Sequence, residues 1–222
     1  MAPTPESVQQ LMASADFGDR LRAVNQMRAL DPAVAFAMLQ TAATDDNARV
    51  RYAAISQLPS VGQQDPDQVL ELLRAALLSD KETDVQAAAA DAIAALHLTS
   101  AFDDLKAVYE GSQEWLVQFS IIAALGELGD ARAFDLLAQA LESGNDLVVT
   151  AAIGSLGELG DPRALPLLLP FATADDWQVR HRVVQAIAQF DHPDAQAALT
   201  KLSQDTAAIV ADTAQQHLNP SS

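Results

Sequence analysis

No cysteine occurs in this sequence. That excludes disulfides, a thiolate nucleophile, thiolate-bound metals and a cysteine-ligated iron–sulphur cluster from the chain itself, and a reducing cytosol is the easier fit. Aromatic residues are scarce, at 5% against 50% hydrophobic. The core is therefore expected to consist of Ala, Leu, Val and Ile, which suits thin, closely packed helices. Basic residues are scarce too. With 13 Lys and Arg against 30 Asp and Glu, the formal charge is −17, which argues against a nucleic-acid or anionic-membrane binder. The same charge suits either a basic partner or plain solubility. No apolar run approaches the roughly 18 residues that span a bilayer. The start, Met1-Ala2-Pro3-Thr4-Pro5-Glu6, lacks a basic and then apolar leader pattern. The expectation is a soluble, cytoplasmic protein without membrane insertion.

Motifs that carry chemistry are missing as well. No zinc spacing, P-loop, nucleophile elbow or glycine-rich phosphate loop is found. The four histidines, His97, His181, His192 and His217, are scattered, and none precedes a glutamate. No catalytic residue and no metal ligand is assigned, and no intrinsic cofactor is expected.

What the chain does contain is a repeat. Leu125-Gly126-Glu127-Leu128-Gly129-Asp130 recurs 31 residues later as Leu156-Gly157-Glu158-Leu159-Gly160-Asp161. A period near 30 in a helical pattern indicates a stacked solenoid. Val followed eight residues later by Leu or Ile occurs at Val50/Leu58, Val85/Ile93, Val117/Leu125, Val148/Leu156, Val179/Ile187 and Val210/Leu218, after a degenerate first copy ending at Leu30. Steps of four and eight place each pair on one helix face, with Ala54, Ala89, Ile121, Ala152, Val183 and Ala214 between them. These are the second, or B, helices. The A helices are expected over 5–14, 32–43, 66–79, 100–110, 131–142, 162–173 and 193–203. Pro32, Pro66, Pro162 and Pro193 each follow an Asp or His, the arrangement that opens a helix. Asp19, Asn47, Glu114, Asn145 and Asp176, just ahead of the B helices, read as caps. The glycines of the repeated hexapeptide read as helix ends. The stretch from Pro59 to Pro66 reads as a longer loop between repeats. The fold class is all-α: a right-handed α-solenoid of about seven hairpins, one domain over 1–218, with a disordered tail over 219–222.

In such an array the B helices line the inner surface. Residues two before, two after and six after each anchor point away from the core seam: Ala48–Tyr52–Ser56, Thr83–Ala87–Asp91, Trp115–Phe119–Ala123, Asp146–Thr150–Gly154 and Trp177–His181–Gln185. Both tryptophans take the same repeat position, and helix spacing places them roughly 16–20 Å apart. Tyr52, Trp115, Phe119, Trp177 and His181 are thus expected to form an aromatic groove of the kind that binds a protein hot spot or a flat conjugated ligand. The alternative is that the tryptophans fold over the A–B turns and cap the core. Arg51 and Arg180 follow their anchors directly. Either they pair with an Asp of the next repeat, or they present a cation to a ligand or partner carboxylate.

Val50-Arg51-x-x-Ala54-x-x-x-Leu58 and Leu159-Gly160-Asp161-x-Arg163-Ala164 resemble the HEAT-like repeat of the phycobilisome-lyase type. That group includes phycocyanobilin lyase subunits and NblB-related degradation proteins. Phe17-Gly18-Asp19-Arg20-Leu21-Arg22-Ala23-Val24 and Trp115-Leu116-Val117-Gln118-Phe119-Ser120-Ile121-Ile122 resemble it most specifically. The resemblance implies a cyanobacterial scaffold that recognises phycobiliprotein subunits or their bilin, with phycocyanobilin as the ligand and a lyase-type activity if it is enzymatic. It carries no catalytic residue onto these positions. The sequence is also similar to a HEAT-repeat adaptor that partners an A-type iron–sulphur carrier, and for this Cys-free chain that implies a cluster held by the partner alone. The His-Glu pairs of the di-iron HEAT-repeat hydroxylases are absent.

Overall fold

The structure is a computed structural model and describes residues 2–61 and 63–219. Every regular element among them is helical. The α-helices are α1 (Pro5–Met12), α2 (Phe17–Met27), α3 (Pro32–Ala42), α4 (Ala48–Ile55), α5 (Leu58–Val61), α6 (Pro66–Ser79), α7 (Thr83–Ala95), α8 (Phe102–Gly111), α9 (Trp115–Leu128), α10 (Phe134–Ala140), α11 (Asp146–Leu159), α12 (Leu165–Leu168), α13 (Trp177–Ile187), α14 (Pro193–Leu202) and α15 (Ala208–Leu218). Among the described residues α1/α2, α3/α4, α6/α7, α10/α11, α12/α13 and α14/α15 pack as A/B pairs, α8 and α9 follow one another in the same order, and these helices lie close to the spans that the periodicity predicts. The chain forms two compact units, Met1–Ile121 and Ile122–Ser222, with the boundary inside α9. Of the tail expected over 219–222, only Asn219 is among the described residues, where it ends α15. Residues 220–222 lie outside them.

Asp before Pro starts the A helices for a physical reason. Asp31 and Asp65 accept hydrogen bonds from Ala33 N (3.0 Å) and Gln68 N (3.1 Å), while the proline has no N–H left to satisfy. His192 does the same at α14 through Nδ1, which accepts from Asp194 N at 3.1 Å. Three A helices begin with a 3₁₀ turn instead, at Thr99–Ala101, Ala131–Ala133 and Pro162–Ala164. The sixth A helix, expected to run over 162–173, is broken. Helix α12 gives way to a 3₁₀ stretch at Leu169–Thr173, because Pro170 has no N–H to donate to the carbonyl four residues back.

The B helices stack side by side: α2 on α4 and α4 on α7 in the first unit, α11 on α13 and α13 on α15 in the second. Their seam is the predicted one. Val50, Val85, Val117, Val148 and Val210 are all inaccessible to solvent, as are Leu58, Ile93, Leu125, Leu156 and Ile187. Each such burial stabilises by about 1.5–3 kcal/mol. Val179 and Leu218 depart from the pattern: both are only half-buried, and Val179 lines a cleft between α11 and α13. The loop expected from Pro59 to Pro66 is also corrected. Leu58 and Val61, three residues apart, both bury and hold the short helix α5 across its first part.

The repeated hexapeptide holds two kinds of glycine. Gly129 and Gly160 end their helices at φ +68° and +65°, the left-handed conformation that only glycine adopts without strain. Gly126 and Gly157 do not end helices, contrary to the sequence reading. They sit inside α9 and α11, where an added Cβ would lie 2.6 Å from the Cα of Ser155 and Ala186 respectively. Consecutive B helices approach so closely there that only hydrogen fits. The Ser155 hydroxyl, itself buried, donates to Ile122 O at 2.8 Å. In the first unit Gln57 Nε2 bridges equivalently to Val24 O at 3.1 Å.

Candidate partner-binding face

Three of the turns that lead into the B helices are fixed by the rungs of an arginine–aspartate ladder. Arg20 holds Asp45 with Nε to Oδ2 at 2.7 Å and Nη2 to Oδ1 at 2.9 Å. Arg51 holds Asp80 at 2.7 and 2.8 Å, and Arg180 holds Asp205 at 2.7 and 2.8 Å. In every case the aspartate belongs to the next repeat. The remaining guanidinium nitrogen, Nη1, reaches back to two carbonyls of its own A–B turn: Ser14 and Ala15, Asp45 and Asp46, or Ala174 and Asp175. The arginine hydrogen bond holds the Asp45, Asp80 and Asp205 carboxyls below their usual range, and the three guanidiniums titrate correspondingly higher. Arg51 and Arg180 are therefore engaged inside the stack. Of the two roles open to them in the sequence, the structure builds the interrepeat pair.

The ladder has a second effect, because the turn that it pins carries the aromatic. Asp176 caps α13 through Gln178 N at 2.8 Å. Trp177 is the next residue, and Arg180 grips the two carbonyls before the cap. Asn47 and Arg51 fix the start of α4, on which Tyr52 stands, in the same way. At α2 the cap is Asp16, whose Oδ1 accepts from Gly18 N. Asp19, read as the cap from the sequence, instead accepts from Ser14 Oγ and Arg22. In the fourth repeat Gln118 stands at the arginine position and keeps only the carbonyl contact, donating to Ser112 O at 2.9 Å.

Of the predicted groove residues, Tyr52, Trp115 and Trp177 expose 47%, 48% and 45% of their surface. Phe119 and His181 are half-buried. The tryptophans are thus partly laid against their helices and partly open to solvent. The predicted stripe is not open throughout, since Ala87 on α7 is buried. Sequence reasoning missed three members of the exposed set: Phe17, Leu147 and Ile209, at 42%, 51% and 49%. Phe17 takes the same position as Trp115 and Trp177, the first residue of a B helix. The alignment of Arg20 with Arg51 and Arg180 was the signal for it, masked because Asp19 replaces the anchor valine.

Two clefts open between adjacent B helices, one in each unit. Between α4 and α7 lies a space of about 270 Å³ bounded by Arg49, Tyr52, Glu82 and Asp84. Between α11 and α13 lies one of about 870 Å³ bounded by Asp146, Leu147, Thr150, Trp177, His181 and Arg182. His181 Nε2 lies 3.1 Å from Thr213 Oγ1, and that hydroxyl donates its own proton to Ile209 O at 2.7 Å. Nε2 must therefore be the donor, which leaves Nδ1 to accept when the ring is neutral. Arg182 lies across Gly154, where a Cβ would stand 3.3 Å from its Cδ. A third space, about 560 Å³ between α1 and α3 and lined by Met12, Val34 and Met38, lies on A helices, for which no cue was read. No cluster of metal-binding side chains is found among the described residues, and no helix among them is long and apolar enough to cross a membrane.

No curated protein sequence matches the chain. Among solved structures it is similar to YibA of E. coli, at a TM-score of 0.71 and 18% identity over 98% of this chain and 81% of that one. It is similar to the complex of CpcE and CpcF of phycocyanin lyase from a Nostoc species, at 0.64 and 20% over 98% and 94%. An engineered protein matches at 0.65 and 19% over 96% and 67%. At these identities the likeness concerns the fold. The HEAT-repeat description matches residues 4–94, 70–156 and 150–219, nearly the whole chain, and with the stacked hairpins it establishes that this protein belongs to the HEAT-repeat family.

Proposed function

We propose that this HEAT-repeat protein is a binding scaffold that recognises a phycobiliprotein or its bilin, in the assembly or degradation of the phycobilisome. The observation that carries this reading is the exposure of about half of Tyr52, Trp115 and Trp177, with the turns before Tyr52 and Trp177 pinned by Arg51 and Arg180. Rigid, partly exposed aromatics lose little entropy on binding and offer a large apolar face. The repeat motif of the phycobilisome-lyase type and the fold similarity to the CpcE–CpcF complex support the same partner class. The second also favours work alongside another protein chain.

The test is to mix the purified protein with phycocyanobilin and, separately, with phycocyanin. A changed bilin absorption band, or retention of phycocyanin on the immobilised protein, is expected, and Trp115→Ala with Trp177→Ala should weaken it. An unchanged spectrum together with no retention would overturn the proposal.

A further inference from the structure

We propose that the row of exposed apolar residues on α11, α13 and α15 docks a basic segment of a protein partner, one that presents arginine or lysine beside an apolar side chain. This rests on the scaffold reading only in treating the B-helix face as the binding face; the partner's identity does not enter.

Leu147, Trp177 and Ile209 stand at the first or second position of three B helices that pack consecutively. All three are about half exposed, and packed helices place such anchors about 8–10 Å apart. Leu147 and Trp177 each directly follow a carboxylate, Asp146 and Asp176. Asp176 uses Oδ1 for its cap, which leaves Oδ2 for a further donor. A guanidinium laid on the Trp177 ring would meet the indole face and a carboxylate together. The first unit repeats the juxtaposition in Asp16–Phe17 and Glu114–Trp115.

Charge selects the occupant. At least eight of the 13 Lys and Arg side chains are paired with a carboxylate of this chain. The net −17 is therefore displayed mostly as unopposed carboxylates. The cleft is lined by Asp146 and Asp176 as well as by Arg182 and His181, and Asp175, next in sequence to Asp176, is exposed. The helix dipoles contribute only about half a positive charge at each N-terminus, less than the carboxylate that α11 and α13 bear there in Asp146 and Asp176. A second copy of the chain would bring the same −17 and be repelled. A cationic segment is steered in, and the apolar row gives it a register.

The experiment titrates the full chain with a fluorescent amphipathic peptide of leucine and arginine, against its leucine–glutamate counterpart, by anisotropy at low and high salt. The arginine peptide should bind and the glutamate peptide should not. Leu147→Ala with Trp177→Ala leaves the net charge unchanged and should weaken binding at least about tenfold. Asp146→Asn with Asp176→Asn, in which Asn keeps the cap, should weaken it comparably. Asp67→Asn with Glu71→Gln removes two charges from exposed positions on α6 and should change affinity by less than about twofold. Far-UV circular dichroism confirms that each variant folds. Equal binding of both peptides would overturn the proposal. So would equal loss from both charge pairs with a silent apolar pair, because bulk attraction would then suffice. No bilin or phycobiliprotein is present in the assay. Retention of phycocyanin without peptide binding would sink this inference alone, and peptide binding without phycocyanin or bilin recognition would sink only the proposed function.

Discussion

Gly157→Ala should destabilise the protein although alanine is the better helix former. The new Cβ would lie 2.6 Å from Ala186 Cα and 2.7 Å from its Cβ, whereas carbon atoms rest at about 3.5–4.0 Å. Helices α11 and α13 must part by about 1 Å, or one must rotate. Overpacking of this kind costs up to about 3 kcal/mol, and the helix-propensity gain returns about 1 kcal/mol. The expected net loss is about 2 kcal/mol, or roughly 4–8 °C in melting temperature for a chain of this size. The assay is urea unfolding followed by far-UV circular dichroism, with the midpoint read at constant slope. Gly111→Ala is the control. It meets nothing within 4 Å and has no positive φ, so it should leave the midpoint unchanged or raise it. Ala186→Gly should not rescue Gly157→Ala, because the backbone Cα still blocks. Wild-type stability in Gly157→Ala, or full rescue by Ala186→Gly, would refute the close-approach account.

Three further outcomes follow from the same geometry. Asp80→Asn removes the charge from the Arg51 fork and should cost about 2 kcal/mol at neutral pH, measured by denaturant midpoint. Because Arg51 depresses the Asp80 carboxyl in the folded state, that contribution is present above the ordinary carboxylate pKa of about 4 and fades as pH falls through the lower folded value. The gap between wild type and Asp80→Asn should therefore narrow in acid. Ser155→Ala deletes a buried hydroxyl that donates to Ile122 O and should cost about 1 kcal/mol, seen as a lower melting temperature. Trp177→Ala strips a half-exposed ring and should cost about 1–2 kcal/mol, less than the roughly 2–5 kcal/mol of a core change such as Leu156→Ala, in the same melts.

The helices were legible because their starts and seams are written locally. Asp before Pro, and apolar residues at four and eight, need no knowledge of the neighbouring repeat. What was not legible depends on distances between repeats. Gly126 and Gly157 read as helix breakers in one dimension, and only the 2.6 Å approach of the next helix shows why no side chain is allowed there. Arg51 and Arg180 could be read as groove cations or as ladder members until their aspartates, 29 and 25 residues on, were in place. Within the candidate site Trp115 and Trp177 were marked by their shared repeat position, and both are about half exposed. Phe17 was hidden by a substituted anchor, and Leu147 and Ile209 by a one-residue offset.

The ladder also implies a rule of succession among the repeats. Each rung joins an arginine of one repeat to an aspartate of the next, so a repeat that carries the arginine needs a successor that carries the acid. The second repeat has both, Asp45 and Arg51, and could follow a copy of itself with every rung intact. The fifth has Ser143 and Val149 at these positions; placed after the second, it would strand a guanidinium. The last has Asp205 but Ala211, so it receives a rung and extends none. The ladder thus has a direction written in two positions per repeat, and a designer extending a rung-bearing stretch would duplicate the second repeat rather than the fifth.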